Sequence, residues 1–175
     1  MNLTLFDTAA ATDNLGDEII MQAFEHEMGK IFPEAYIFRV ATHEYMTNAS
    51  RRLIRDSAFA FVCGTNLLSP HMIRPKWKLR PWDGLFLDNA ILCGVGWCGY
   101  RQPADGYTRW LLNRILKNGA IHSVRDNYTM SRISKLHHNL VNTACPTMWV
   151  LDKRHLLWRH VRRHNTLPRP LIDVG

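Results

Sequence analysis

The chain has no apolar run of about 18 residues, so it offers no candidate membrane-spanning helix. Its first residues, Met1-Asn2-Leu3-Thr4, show no basic stretch ahead of an apolar one, and hence no signal-peptide pattern. The four cysteines, Cys63, Cys93, Cys98 and Cys145, form no CxxC pair and match no zinc spacing. They lie in or beside apolar runs, which predicts buried, reduced thiols in a cytoplasmic protein. Neither a metal nor a nicotinamide or other cofactor is expected. No internal repeat or low-complexity segment is present.

Acidic residues are scarce in the second part of the chain. Residues 1–60 carry nine Asp/Glu and five Lys/Arg, a net charge of −4. Residues 61–175 carry six Asp/Glu and 17 Lys/Arg, a net charge of +11. Such asymmetry predicts an anionic partner for the second part, without choosing among phosphorylated substrates, nucleic acid, a membrane surface or an acidic protein face.

The 175 residues are 46% hydrophobic, enough for the core of one domain. Their organising stretch is Ala90-Ile91-Leu92-Cys93-Gly94-Val95-Gly96-Trp97-Cys98-Gly99-Tyr100. An apolar run of strand length ends in glycines and then aromatics. Such a run reads as a buried strand of a parallel sheet, and glycine lets the backbone turn tightly just beyond it.

Other strand-like runs end in the same way. Leu3–Asp7 leads into a small polar stretch ending Asn14-Leu15-Gly16-Asp17-Glu18, which opens a helix over roughly 17–28. Asn14 or Asp17 is the expected cap and Gly16 the turn. Strands are expected at 35–40 and at 57–63, with a short basic helix at 49–56 between them. The second of these strands ends in Gly64-Thr65-Asn66. A helix at 107–118 precedes a strand at 120–124, which ends in Arg125-Asp126-Asn127-Tyr128-Thr129. Asp126 reads as a helix cap or salt-bridge partner, and Arg125 also as an anion-binding group. A last strand is expected at 140–145.

Residues 67–84 carry no regular pattern. Their basic and aromatic residues, among them His71, Arg74, Lys76, Lys78 and Arg80, would suit single-stranded nucleic acid or anchor a loop to the core. Residues 152–164 read as a basic amphipathic helix with Leu156, Leu157 and Val161 inward, and 167–175 as a linker-like tail.

About six strands alternating with about five helices predict a Rossmann-like, doubly wound, mostly parallel sheet with helices on both faces. The expected division is an α/β domain over 1–151 followed by the basic helix and tail at 152–175. The strand ends place a site at the carboxyl edge of the sheet. Its candidates are Asn14, Gly16, Asp17, Gly64, Thr65, Asn66, Gly94, Gly96, Arg125 and Asp126.

Five motifs resemble the polysaccharide pyruvyl transferase family. They are Asn14-Leu15-Gly16-Asp17-Glu18, Val62-Cys63-Gly64-Thr65-Asn66-Leu67-Leu68, Leu92-Cys93-Gly94-Val95-Gly96-Trp97, His122-Ser123-Val124-Arg125-Asp126-Asn127-Tyr128-Thr129 and Asn142-Thr143-Ala144-Cys145-Pro146-Thr147. Their order covers the chain from about residue 5 to about 151. The resemblance implies one Rossmann-like half of a GT-B-like fold. It also implies transfer of a pyruvyl group from phosphoenolpyruvate to a sugar hydroxyl of a surface polysaccharide. Arg125 takes the place of an arginine implicated in catalysis or donor binding.

Two departures stand out. Cys63-Gly64-Thr65 replaces the three glycines of many members. The family's second domain, with its further catalytic histidine, has no counterpart in these residues. The chain is therefore expected to be an N-terminal half, a single-domain relative or a truncated product, completed by a second domain, a second chain or a homo-oligomer. His43 and His122 are the histidines that could serve as acid or base. The alternative reading is a non-catalytic module that binds a phosphorylated sugar or a partner protein.

Overall fold

The computed structural model describes residues 1–73, 76–100, 102–117 and 119–151. The expected helix at 152–164 and the tail lie outside the described residues.

Three strands, β1 (Asn2–Asp7), β2 (Tyr36–Ala41) and β3 (Phe59–Cys63), join β4 (Ala90–Cys93) in one sheet of order β2-β1-β3-β4. All its pairings are parallel. β5 (His122–Val124) and β6 (Leu140–Asn142) form a separate parallel pair. The single six-stranded sheet expected from the sequence is therefore divided four and two. The stretch 90–100 supplies β4, which stands at the end of the four-stranded ladder.

Side chains cause that division. Leu92 N–H donates to His122 Nδ1 at 3.2 Å, and Gly94 N–H to Ser123 Oγ at 2.7 Å. Both donors are spent on side chains of β5 in place of its carbonyls. Backbone contact resumes beyond the strand ends, at the Val95–Val124 bridge.

Alternation along the strands sends side chains to two cores. Leu3, Leu5, Phe61 and Cys63 meet Met21, Phe24 and Met28 of α1 (Leu15–Ile31) on one face. Phe6, Val62, Ala90 and Leu92 face the other way. There they meet Ile54 of α2 (Asn48–Arg55), Leu111 and Ile115 of α3 (Gly106–Leu116) and Ile133 of α4 (Asn127–Ile133). Each buried Leu, Ile, Val, Phe or Met among them contributes about 2 kcal/mol of transfer free energy.

The helix starts are set by local polar residues. Asn14 caps α1, Thr47 with Ser50 forms a capping box on α2, Asp105 caps α3 and Asp126 caps α4. Among the described residues no helix is long and apolar enough to cross a membrane.

Several described residues of the stretch 67–84 belong to the core. Leu67, Leu68, Met72, Trp77 and Leu79 are buried, and Trp77 packs edge-on against Phe6 at 5.2 Å. A 3₁₀ turn at Pro81–Phe86 ends it, with Asp83 buried and held by Arg51 at 2.7 Å. Anchoring to the core accounts for its buried tryptophan.

Candidate functional site at the carboxyl edge of the sheet

The connections that leave the carboxyl ends of the strands hold strained backbone. Ala11, Thr65 and Ala144 adopt positive φ without being glycine, and Gly64 and Gly94 do so as glycines. They follow β1, β3, β6, β3 and β4 respectively. A non-glycine residue in this region costs roughly 1–2 kcal/mol, and such strain concentrates at functional sites.

Close packing explains three of the glycines. A Cβ on Gly64 would lie 2.2 Å from Ile20 Cγ2 of α1. One on Gly94 would lie 2.7 Å from Pro146 Cδ and 2.9 Å from the Ala144 carbonyl oxygen. One on Gly96 would lie 2.1 Å from Asn66 Oδ1 and 2.4 Å from Arg125 Cδ. Gly96 N–H donates to the Thr65 carbonyl at 2.7 Å, and Arg125 N–H to the Val95 carbonyl at 3.1 Å.

Gly96, Thr65, Asn66 and Arg125 thus converge from the ends of β3, β4 and β5. Arg125 Nη1 reaches Asn66 Oδ1 at a long 3.4 Å, and Arg125 Nε lies 3.9 Å from Asp126 Oδ2. Asp126 uses its other oxygen to cap α4, accepting from Thr129 N–H at 2.7 Å. The guanidinium is only loosely held, and its side chain is 32% exposed. A fork of donors in that state suits a carboxylate or phosphate.

The second expected group forms at the start of α1. Asn14 Oδ1 accepts from Gly16 N–H at 3.0 Å, and Asn14 Nδ2 donates to Asp17 Oδ2 at 2.9 Å. Asp17 is buried, and His43 Nε2 lies 4.0 Å from its Oδ2. Among the described residues that nitrogen is buried without a hydrogen-bond partner, as is Thr8 Oγ1. Among the described residues no hydrogen bond or ion pair joins this group to Arg125. The link is structural: Ile20, one turn after Asp17, lies against Gly64.

The two candidate histidines separate. His43 follows β2 at the carboxyl edge. His122 opens β5, fully buried, and burial lowers its pKa to about 4, with the nearby His137 adding to the effect. It is a neutral core residue at working pH. The thiols of Cys63 and Cys93 are pushed up by burial, that of Cys93 to about 12, so neither is an activated nucleophile.

The expectation against a nicotinamide cofactor took the dinucleotide fingerprint to be absent from the sequence, and that ground needs correcting. Gly94, Gly96 and Gly99 do carry the spacing Gly-x-Gly-x-x-Gly after a strand. That fingerprint works by opening a helix onto the pyrophosphate. Here the next helix starts only at Gly106, and Gly99 turns against Pro70. The spacing therefore lacks the context that gives it meaning.

Sequence reasoning missed Asp7 and Arg39. Asp7, at the end of β1, accepts from Ala9 N–H at 2.7 Å, Ala10 N–H at 3.1 Å and Arg39 Nη1 at 3.2 Å. Arg39 also pairs with Glu25. These residues and Asn14 line a cleft of about 780 Å³. The available signal was an acid ending a strand just before a run of small residues.

The fold is a parallel α/β sheet whose strained carboxyl edge is where ligands bind in sheets of this kind. The polysaccharide pyruvyl transferase family model matches residues 14–172, most of the chain. The chain belongs to that family. No curated protein and no solved structure matches it.

Proposed function

We propose that the chain carries the donor-binding part of a pyruvyl transferase, acting on phosphoenolpyruvate and a sugar hydroxyl. The observation that carries this reading is Arg125, seated over Gly96 beside Asn66 with its guanidinium loosely held. It would receive the carboxylate or phosphate of the donor.

The strand order supports a doubly wound reading. With β5 and β6 placed beyond β4, the order becomes that of doubly wound folds whose crevice lies between β1 and β3. That crevice is flanked by Asn14, Asp17, Gly64 and Thr65. In this reading the described residues form one half of a GT-B-like enzyme, and 152–175 lead to the rest.

The chemistry requires a proton on the donor's methylene carbon, which makes the adjacent carbon electrophilic. One sugar hydroxyl oxygen bonds to that carbon, a second displaces phosphate, and a ketal results. Of the two hydroxyl protons, one balances that delivered to the methylene and the other leaves with phosphate. His43 beside Asp17 is the proton-carrying pair this edge supplies.

A thermal-shift titration with phosphoenolpyruvate tests the reading. A ligand that binds only the folded state raises the melting temperature. A saturable rise in the native chain, lost in Arg125→Ala and kept in His43→Gln, is expected. No rise in the native chain would reject a donor site within these residues and leave the non-catalytic module as the better reading.

A further inference from the structure

The 3₁₀ turn Pro81–Phe86 carries large apolar side chains that the core does not use. A 3₁₀ turn repeats every three residues, so Trp82 and Leu85 share one side of it. Both are 53% exposed. Gly84 between them lets α3 come close: a Cβ there would stand 2.8 Å from Leu111 Cδ1 and 3.0 Å from Trp110 Cζ3. Trp110 is itself 40% exposed and stacks on Tyr107 at 5.7 Å. On the other flank Arg80 lies over the rings of Trp82, at 5.9 Å, and Tyr45, at 5.2 Å, and Tyr45 is also exposed. Tyr45, Trp82, Leu85 and Trp110 thus form a joined surface, and joined apolar surface marks a contact site where scattered exposed residues do not.

Cations border this surface in a regular order. Trp77 and Leu79 are buried, and Lys76, Lys78 and Arg80 alternate with them. The three cations therefore lie on the side away from the core, along the approach to Trp82. Arg114, one turn beyond Trp110 on α3, adds a fourth. Among the described residues no salt bridge involves any of the four. The carboxylate of Asp83 turns inward to Arg51. The exposed carboxylates nearby are Glu44, next to Tyr45, and Asp88, which shares a cleft with Leu85, so positive charge is in excess.

This pairing of rings with unpaired cations selects among the surfaces it could meet. Lysine is depleted from protein–protein interfaces, which disfavours a partner protein or a second copy. Single-stranded nucleic acid would stack on the rings but make no use of Leu85. An anionic bilayer uses every part. Indole and phenol rings sit at the headgroup level, and leucine enters the acyl boundary. Lysine and arginine lay their stems along apolar surface and keep their charges among the phosphates.

We propose that the surface built from Trp82, Leu85 and Trp110, with Lys76, Lys78 and Arg80 at its border, docks the chain on the face of an anionic lipid bilayer without spanning it. The proposal does not rest on the pyruvyl-transfer reading, since none of these residues belongs to the carboxyl edge.

Co-sedimentation of the whole chain with vesicles tests it. Vesicles of phosphatidylcholine mixed with phosphatidylglycerol should bind the chain roughly tenfold or more tightly than phosphatidylcholine alone, and added salt should weaken the binding. Trp82→Ser/Leu85→Ser should lose binding by roughly tenfold or more at any salt concentration. Lys76→Gln/Lys78→Gln should bind anionic vesicles less tightly and with a smaller salt dependence. All four residues lie at the surface, and urea unfolding checks that each double variant keeps the native stability. The phosphoenolpyruvate melting shift should be the same in both variants as in the native chain, which separates this surface from the donor site.

Equal binding to neutral and anionic vesicles, or no binding to either, would overturn the proposal. Unchanged binding in Trp82→Ser/Leu85→Ser would place the membrane contact elsewhere in the chain and overturn it as well. Sedimentation of the native chain without lipid gives the last check. A dimer that Trp82→Ser/Leu85→Ser dissolves would assign the surface to a second copy instead.

Discussion

Arg125 rests on Gly96: a Cβ at that glycine would stand 2.4 Å from Arg125 Cδ and 2.1 Å from Asn66 Oδ1. Both neighbours are side-chain atoms at a half-exposed edge, so they can give way at modest cost. Gly96→Ala should lower stability by about 1–3 kcal/mol, the usual range for inserting a methyl group into a packed position. It should also abolish the phosphoenolpyruvate melting shift, because Arg125 can no longer lie where it does. An unchanged shift in Gly96→Ala would show that the seat of Arg125 does not matter for donor binding.

Gly94 differs in what surrounds it. Its φ is +62°, and a Cβ would meet Pro146 Cδ at 2.7 Å and the Ala144 backbone oxygen at 2.9 Å. Backbone cannot swing aside as a side chain can. Gly94→Ala adds a left-handed penalty of about 1–2 kcal/mol to the overpacking cost. It should be clearly less stable than Gly96→Ala in urea unfolding, with loss of soluble protein as the extreme outcome.

How far the sequence shows all this depends on which force decides each feature. The strands and helices were legible within a residue or two at most ends, because apolar periodicity and Asn, Thr and Asp caps are local signals. The division of the sheet was not, because it depends on Ser123 and His122 side chains taking the N–H donors of Gly94 and Leu92 from 29 and 30 residues away. Gly96 was legible as a tight position but not as the seat of Arg125. The link between Asp17 and His43 also needed the fold, since 26 residues separate them in the chain. In the irregular stretch, Trp77 and Leu79 gave no periodic signal because a core can be reached from a loop without any regular repeat.

Arg51 and Asp83 fasten that stretch to α2. Asp83 is fully buried, and its Oδ1 receives Arg51 Nε at 2.9 Å and Nη2 at 2.7 Å, while Oδ2 receives Arg80 N–H at 2.7 Å. Removing the cation leaves a buried carboxylate without its counter-charge, which costs about 3–5 kcal/mol. Arg51→Ala should therefore lower stability by that order in urea unfolding. Adding Asp83→Asn to Arg51→Ala should recover part of the loss, since the neutral amide keeps an acceptor for Arg80 N–H. If the double variant is no more stable than the single one, charge burial is not the cause.

His122 should make stability depend on pH in a defined window. Its pKa is lowered from 6.5 to about 4, first by burial and second by His137, with the Leu116 carbonyl acting the other way. In the unfolded chain the imidazole takes up a proton near pH 6.5, whereas in the folded chain it stays neutral down to about pH 4. The unfolded state thus binds more protons between these values, and the folded state loses stability as pH falls through them. The contribution is full above about pH 6.5, declines towards pH 4 and is flat below, with a total of up to about 3 kcal/mol. His122→Asn preserves an acceptor for Leu92 N–H but has no titrating group. Urea unfolding at pH 7, 5.5 and 4.5 should give a shallower decline in the variant than in the native chain. Parallel curves would assign the pH dependence to other groups and remove His122 from the account.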